Sequence, residues 1–212
     1  MELYRTVYKE AEATQIIERS RFIAHIKPVE SREEAEAFIG EIKAKYRDAT
    51  HNVPAIVIGD GFQIQWASDD GEPQGTSGAP IVQMLVKEGI TNVVVVVTRY
   101  FGGIKLGTGG LVRAYTSSVK LVLEEAQVCS VMEMCKVTAE IDYTHLARLQ
   151  NLAGADFAID NIEYGEKVTI DLLAETEKKE ELLGMISNLT SGTAVINNTD
   201  IVLAKKPLDT ES

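Results

Sequence analysis

The sequence predicts an α+β protein of two domains, and three features carry that reading. Five consecutive valines, Val93–Val97, suit a strand buried on both faces. A glycine-rich string, YFGGIKLGTGG (100–110), follows them and leads into a helical pattern. After Cys135 the periodicity changes to β-α-β-β-α-β, the element order of a ferredoxin-like unit.

Residues 3–28 read as two or three β-segments, with alternation at Phe22, Ala24 and Ile26. Ser31 opens a helix, with Glu34 placed to close a capping box. Ala35, Phe38, Ile39, Ile42 and Tyr46 follow at helical spacing. Ala55–Ile58 and Phe62–Ala67 flank Gly59-Asp60-Gly61, a strong hairpin signal. SDDGEPQGTSG (68–78) is too rich in Gly, Pro and Asp for regular structure. Pro80 suits the first turn of a short helix bearing Ile81, Met84 and Leu85. Beyond the glycine string, Leu111, Val112, Tyr115, Val119, Val122 and Leu123 share a helical face, and Thr108 is the expected N-cap.

In the second half, Val137–Tyr143 reads as a strand, and Thr144 caps a helix with Leu146, Leu149 and Leu152. Phe157–Tyr164 and Lys167–Ala174 pair across Gly165-Glu166. Thr176 starts a helix with Leu182, Leu183 and Ile186, and Thr193–Leu203 is the closing strand. The boundary falls near 127–136, giving domains at 1–130 and 136–212.

No apolar run approaches the roughly 20 residues that span a bilayer, so no membrane association is expected. The charged, alternating residues MELYRTVYKEAE do not read as a secretory signal. Cys129 and Cys135 match neither a CxxC pair nor a zinc quartet, and a reduced cytoplasm is the expected location. The net charge of −11 argues against an all-basic nucleic-acid coat, yet it is unevenly spread. Between Glu88 and Glu124 there is no acidic residue, while Arg99, Lys105, Arg113 and Lys120 are basic. That island is a candidate phosphate contact, or else a run of buried elements with few charges. Residues 1–135 carry 14 basic and 18 acidic side chains, and 136–212 carry 7 and 14, so the second domain is the poorer candidate for contacting phosphate.

SDDGEPQGTSGAP (68–80) and VVVTRYFGGIKLGTGGLVRAY (95–115) resemble the signature of the Impact family, whose bacterial branch is called YigZ. RFIAHIKPV (21–29) and YRDATHN (46–52) extend the likeness over nearly all of the first domain, while Val53-Pro54 departs from the expected polar or aromatic pair. The resemblance implies a first domain with the βαβ fold of ribosomal and RNase-PH-type proteins. It implies a second domain similar to the last domain of elongation factor G. Eukaryotic members act in translational control, competing for the activator of a kinase that phosphorylates an initiation factor. They carry an extra N-terminal partner-binding domain not expected here, so the kinase role is not carried over.

Two loops hold the candidate chemistry. Gly102, Gly103, Gly107, Gly109 and Gly110 permit close backbone approach, so successive amides can converge on an anion at the start of a helix. Arg99, Lys105 and Arg113 add charge, Arg113 as a fork suited to phosphate. The string is no Walker A loop, because Thr108 stands where Lys is required. A tight, packed strand-to-helix turn explains the same glycines. In the other loop, Asp69, Asp70 and Glu72 are oxygen donors that suit a hard cation, or a solvated turn. Alternatively, Asp69 or Asp70 pairs with Arg99, with Thr76 and Ser77 offering hydroxyls to the same crevice. A Ser77–His51–Asp70 triad can be written, but no nucleophile-elbow context supports it. Tyr100 and Phe101 are candidates to stack on bases, whereas Trp66 reads as core.

Three functions compete. The first is a translation-associated binding module that engages RNA, the ribosome or a translation factor through the glycine loop. The second is a metal-dependent enzyme acting on a nucleotide phosphate, and the third a protein-binding adaptor using the acidic second domain. The binding module is the leading expectation, with no catalytic residue, resident metal or cofactor assigned; the oligomeric state is left open.

Overall fold

The protein is described by a computed structural model covering residues 2–154 and 156–208. The chain divides into two compact units, one of residues 2–131 with 205–208 and one of residues 132–204.

The first unit is built on a five-stranded antiparallel sheet. Its strands are β2 (Ala11–Ile17), β3 (Ser20–Pro28), β4 (His51–Ile58), β5 (Ile64–Ala67) and β6 (Val93–Tyr100), in the order β2-β3-β6-β4-β5. A first strand, β1 (Glu2–Val7), precedes them. β3 and β4 both run antiparallel to β6, so they are parallel to each other with β6 between. The helix α1 (Arg32–Lys45) connects β3 and β4, a split βαβ unit. Ser31 Oγ accepts the Glu34 N–H at 3.2 Å, and the Glu34 carboxylate reaches back to the Glu30 N–H at 2.9 Å. The expected box therefore forms, displaced by one residue on its return arm.

The valine run has a physical reason. Val94 and Val96 face Phe38, Ile39 and Ile42 of α1. Val93, Val95 and Val97 face the other layer, made by α2 (Gly78–Lys87) and α3 (Gly107–Ala126). All five are 0% exposed, and burying each side chain contributes about 1.5–3 kcal/mol. Pro54 is tolerated inside β4 because β5 has ended: Ala55 is the last residue paired with β5, opposite Ala67. The Gly59-Asp60-Gly61 hairpin forms as expected. Asn92 Oδ1 accepts the Gly59 N–H at 2.8 Å, tying that turn to the start of β6.

The second unit holds β7 (Val128–Ile141) from residue 132 on, α4 (Tyr143–Leu152), β8 (Ala158–Tyr164), β9 (Val168–Glu175), α5 (Lys179–Leu189) and β10 (Val195–Pro207) up to residue 204. The order β10-β7-β9-β8 is that of a ferredoxin-like sheet. Val137, Ala139, Ile141, Ile170 and Leu172 pack against Leu149, Leu182 and Ile186 of the two helices. Several boundaries differ from expectation. β7 starts nine residues early and runs unbroken through 128–141, so no loop marks the 127–136 region. α4 starts at Tyr143 after Asp142, without a cap from Thr144. Thr176 opens a 3₁₀ turn ahead of α5, and β10 extends to Pro207. No helix among the described residues is long and apolar enough to cross a membrane.

Candidate nucleic-acid interface

The glycine loop is held at one end of the first unit's sheet. β2 and β3 pair up to Ile17–Ser20, leaving Glu18-Arg19 as a two-residue turn with φ of 45° and 65°. Gly102 lies against this turn, where a Cβ would fall 2.0 Å from the Arg19 carbonyl oxygen. Only glycine permits that approach. The Gly102 N–H donates to Ser20 Oγ at 3.2 Å, and the Phe101 N–H donates to Thr50 Oγ1 at 3.0 Å. Gly103 and Gly107 have φ of 87° and 71°.

α3 begins at Gly107, one residue before the expected N-cap. Leu106 occupies the cap position with no side-chain bond to the helix end, and Thr108 lies inside the first turn. Gly107, at φ 71°, makes the turn into the helix directly ahead of Thr108, a conformation that suits glycine. The first turn thus consists of Gly107, Thr108, Gly109 and Gly110, with no side-chain cap on its amides. The Arg113 guanidinium runs back along this turn, its Nη1 3.8 Å from where a Gly109 Cβ would stand.

Lys105 and Arg113 line a depression of ≈ 530 Å³ with Ile17, Glu18, Ile104, Leu106 and neighbouring α3 residues. No residue of 68–78 lines it; its opposite wall comes from the end of β2. Arg19 and Arg21, exposed at the β2–β3 turn, join this end of the sheet, and the Arg21 guanidinium sits 4.4 Å from the centroid of the Tyr100 ring. Phe101 is 45% exposed and Ile104 36%. Among the described residues, Arg19, Arg21, Lys105 and Arg113 form no ion pair.

The acidic loop turns inward instead. Asp69 accepts four hydrogen bonds, from Ser77 Oγ (2.7 Å) and the N–H groups of Gly75 (2.7 Å), Gly78 (3.0 Å) and Ser77 (3.2 Å). Burial alone raises its pKa, but the Ser77 hydroxyl and those amides together hold the carboxyl below its ordinary value. Asp70 accepts the Asn52 N–H and the Lys43 ammonium, both at 2.7 Å. Its carbonyl oxygen lies 2.9 Å from His51 Nδ1, which is thereby the protonated ring nitrogen in the neutral form. Thr76 Oγ1 donates to the Pro73 carbonyl at 2.6 Å.

Glu72 makes the deepest contact. Its Oε1 accepts Arg99 Nη1 at 2.6 Å and the Tyr115 hydroxyl at 2.7 Å, and its Oε2 lies 3.7 Å from His51 Nε2. Arg99 Nη2 donates to Ser20 Oγ at 3.2 Å, while its Nε is buried without a hydrogen-bond partner among the described residues. The guanidinium lies between the rings of Phe22 and Phe101, 5.3 and 5.4 Å from their centroids. Burial, reinforced by the Glu72 hydrogen bond, pushes the Tyr115 hydroxyl far above the ordinary phenol range.

Two expectations are corrected, the partner of Arg99 and the burial of Trp66. Arg99 pairs with Glu72 and not with Asp69 or Asp70, whose shorter side chains are turned onto nearby amides and Lys43. The Ser77–His51–Asp70 triad does not assemble, because the Ser77 hydroxyl donates to Asp69 and is fully buried. Trp66 is 39% exposed and not core, since β5 is a four-residue edge strand. Among the described residues no group of three or more His, Cys, Asp and Glu side chains is placed to hold a metal. Sequence reasoning passed over Arg19, Arg21 and Ser20. The available signal was the tight Glu18-Arg19 turn between two alternating segments, but nothing in the sequence places that turn beside Gly102.

Both halves of the chain are similar to known proteins. The Impact N-terminal domain matches residues 18–123, the whole of the glycine loop and its supports, and a domain of unknown function, DUF1949, matches 140–193. The IMPACT family member YvyE of Bacillus subtilis (strain 168) is 39% identical over 207 residues, 97% of this chain and 95% of its own length. The IMPACT family member YigZ of Escherichia coli (strain K12) is 34% identical over 179 residues, covering 83% and 88%. A crystal structure of a hypothetical protein superposes with a TM-score of 0.58 at 32% identity, over 92% of this chain and 97% of that one. The chain belongs to the Impact family.

Proposed function

We propose that this protein is a translation-associated binding protein that engages RNA through the glycine loop and the adjoining β2–β3 turn, without a catalytic step. One observation carries the reading: four cations outside any ion pair among the described residues, Arg19, Arg21, Lys105 and Arg113, meet exposed Phe101 and Ile104 at one end of the sheet. Cations bind the phosphates, the uncapped amides of Gly107–Gly110 favour an anion, and Phe101 offers a ring to an unpaired base. The nearby carboxylates of Asp69, Asp70 and Glu72 are engaged in internal bonds, which leaves Glu18 as the acidic residue in the depression. Membership of a family whose resemblance implies translational control supports the biological setting.

The test is fluorescence anisotropy with a labelled single-stranded RNA, titrated over a range of salt. The Lys105→Ala/Arg113→Ala variant should bind more weakly. Its slope of log K against log salt should flatten by about 1.4, roughly 0.7 for each phosphate no longer neutralised. Unchanged affinity and slope in a folded double variant would place the site elsewhere.

A further inference from the structure

β10 borders β7 on one side, and its other edge has no strand partner among the described residues. Its length and composition make that edge unusual. Val195, Ile196, Ile201 and Leu203 are exposed at 50%, 41%, 69% and 59%. Natural sheets blunt such edges with lysines, prolines or bulges. From Val195 to Ala204 there is no proline and a single charge, Asp200; Lys205, Lys206 and Pro207 stand only at the end. Lys205 is already engaged, donating to the Val7 carbonyl at 3.0 Å.

We propose that this edge pairs with the same edge of a second copy of the chain, antiparallel about a twofold axis through Thr199, to give a homodimer. The sequence of β10 is self-complementary about that residue. Thr199 meets the Thr199 of the other copy, a favourable cross-strand pair. Val195 meets Leu203, Ile196 meets Val202, Asn197 meets Ile201 and Asn198 meets Asp200. Two apolar pairs and their symmetry mates are thereby covered, and no like charges face each other. Neighbouring registers are worse. Centring on Asn198 sets Asp200 against Ile196, and centring on Asp200 sets two carboxylates against each other. Centring on Ile201 or beyond draws Lys205, Lys206 and Pro207 into the ladder, where proline lacks a donor. The self-matching register is the reason to assign the edge to a second copy and not to an unrelated extended peptide.

Sedimentation velocity on the full chain tests this from micromolar to millimolar concentration. A concentration-dependent dimer is expected. Thr199→Lys, which sets two ammonium groups against each other at the axis, should disperse it. Asn198→Asp places a carboxylate opposite Asp200 in both symmetry-related pairs and should raise the dissociation constant about fivefold, whereas Asn198→Lys should lower it by a similar factor. These changes, at exposed Asn198 and half-buried Thr199, are checked for folding by far-ultraviolet circular dichroism. Thr199→Cys should crosslink the two copies on mild oxidation, since Cys129 and Cys135 are buried. A monomer at every concentration would overturn the proposal and leave the edge to another chain. A dimer indifferent to both Asn198 variants, or one that Thr199→Cys fails to link, would overturn it equally.

Discussion

Replacing Glu72 by alanine strips a buried guanidinium of its counter-ion. The Arg99 and Glu72 side chains are 5% and 4% exposed, so water cannot reach Arg99 to compensate. Removing one partner of such a pair costs about 3–5 kcal/mol. The Tyr115 hydroxyl loses its acceptor as well, and at 0% exposure it has no solvent substitute. Against a total stability of roughly 5–15 kcal/mol for an ordinary domain, this is a large share. Arg99→Met alone should also destabilise, because Glu72 then keeps its charge with the tyrosine as its one strong donor. The double variant Glu72→Ala/Arg99→Met should fall short of the sum of the two by about 2 kcal/mol, since no unpaired charge remains buried. Urea unfolding read by tryptophan fluorescence is the assay. Trp66 is the one tryptophan of the chain and lies on β5, so the signal reports the first unit. A cost below about 1 kcal/mol for Glu72→Ala, or additivity within about 0.5 kcal/mol, would refute the reasoning.

Gly102→Ala should destabilise the first unit by roughly 1–3 kcal/mol in the same assay, because its methyl would sit 2.0 Å from the Arg19 carbonyl oxygen. Gly109→Ala, in a helical turn with open space beyond Arg113, should instead be neutral or stabilising by up to about 1 kcal/mol. Burial pushes His25 down to about 4, opposed by Glu12 and assisted by Lys45. Its folded pKa lies below the ordinary 6.5, so the unfolded chain takes up the proton first; this contribution is complete above pH 6.5 and lost as pH falls towards 4. The loss is about 3 kcal/mol, and stability measured against pH should lose that part of its slope in His25→Phe. Purified protein with nucleotides or short RNAs, with or without Mg²⁺ or Mn²⁺, should show no robust turnover. Turnover abolished by Asp70→Asn would overturn the binding-module reading and make Asp70 a metal ligand.

Much of the fold was legible because local chemistry and tertiary packing agree. Val93–Val97 announce burial on both faces, and the two helix layers supply it. Ser31 and Glu34 announce a helix start, and the bonds form. The second unit's order followed from its strand segments, the helical spacing of its leucines and the Gly165-Glu166 turn, although β7 extends well before Val137 because Cys129 and Val131 are buried as well. The site was less legible, since its contacts are long-range. Which of three carboxylates reaches Arg99 depends on how residues 69–78 coil, and Asp69 is withdrawn by four nearby donors. Arg19 and Arg21 join the site only because Gly102 comes against the β2–β3 turn. Thr108 has the chemistry of a cap, but the turn is made one residue earlier, at Gly107 with its φ of 71°, so Thr108 falls inside the first turn.

The central claim is that RNA lies across the glycine loop and the β2–β3 turn. The most direct measurement is ultraviolet crosslinking of the purified protein to a 4-thiouridine-labelled single-stranded RNA, with adducts mapped by mass spectrometry. The account predicts adducts on peptides containing Arg19–Arg21 and Tyr100–Arg113, led by Phe101, and their loss in Lys105→Ala/Arg113→Ala. Adducts confined to residues 132–204, or none at concentrations where RNA is bound, would contradict it.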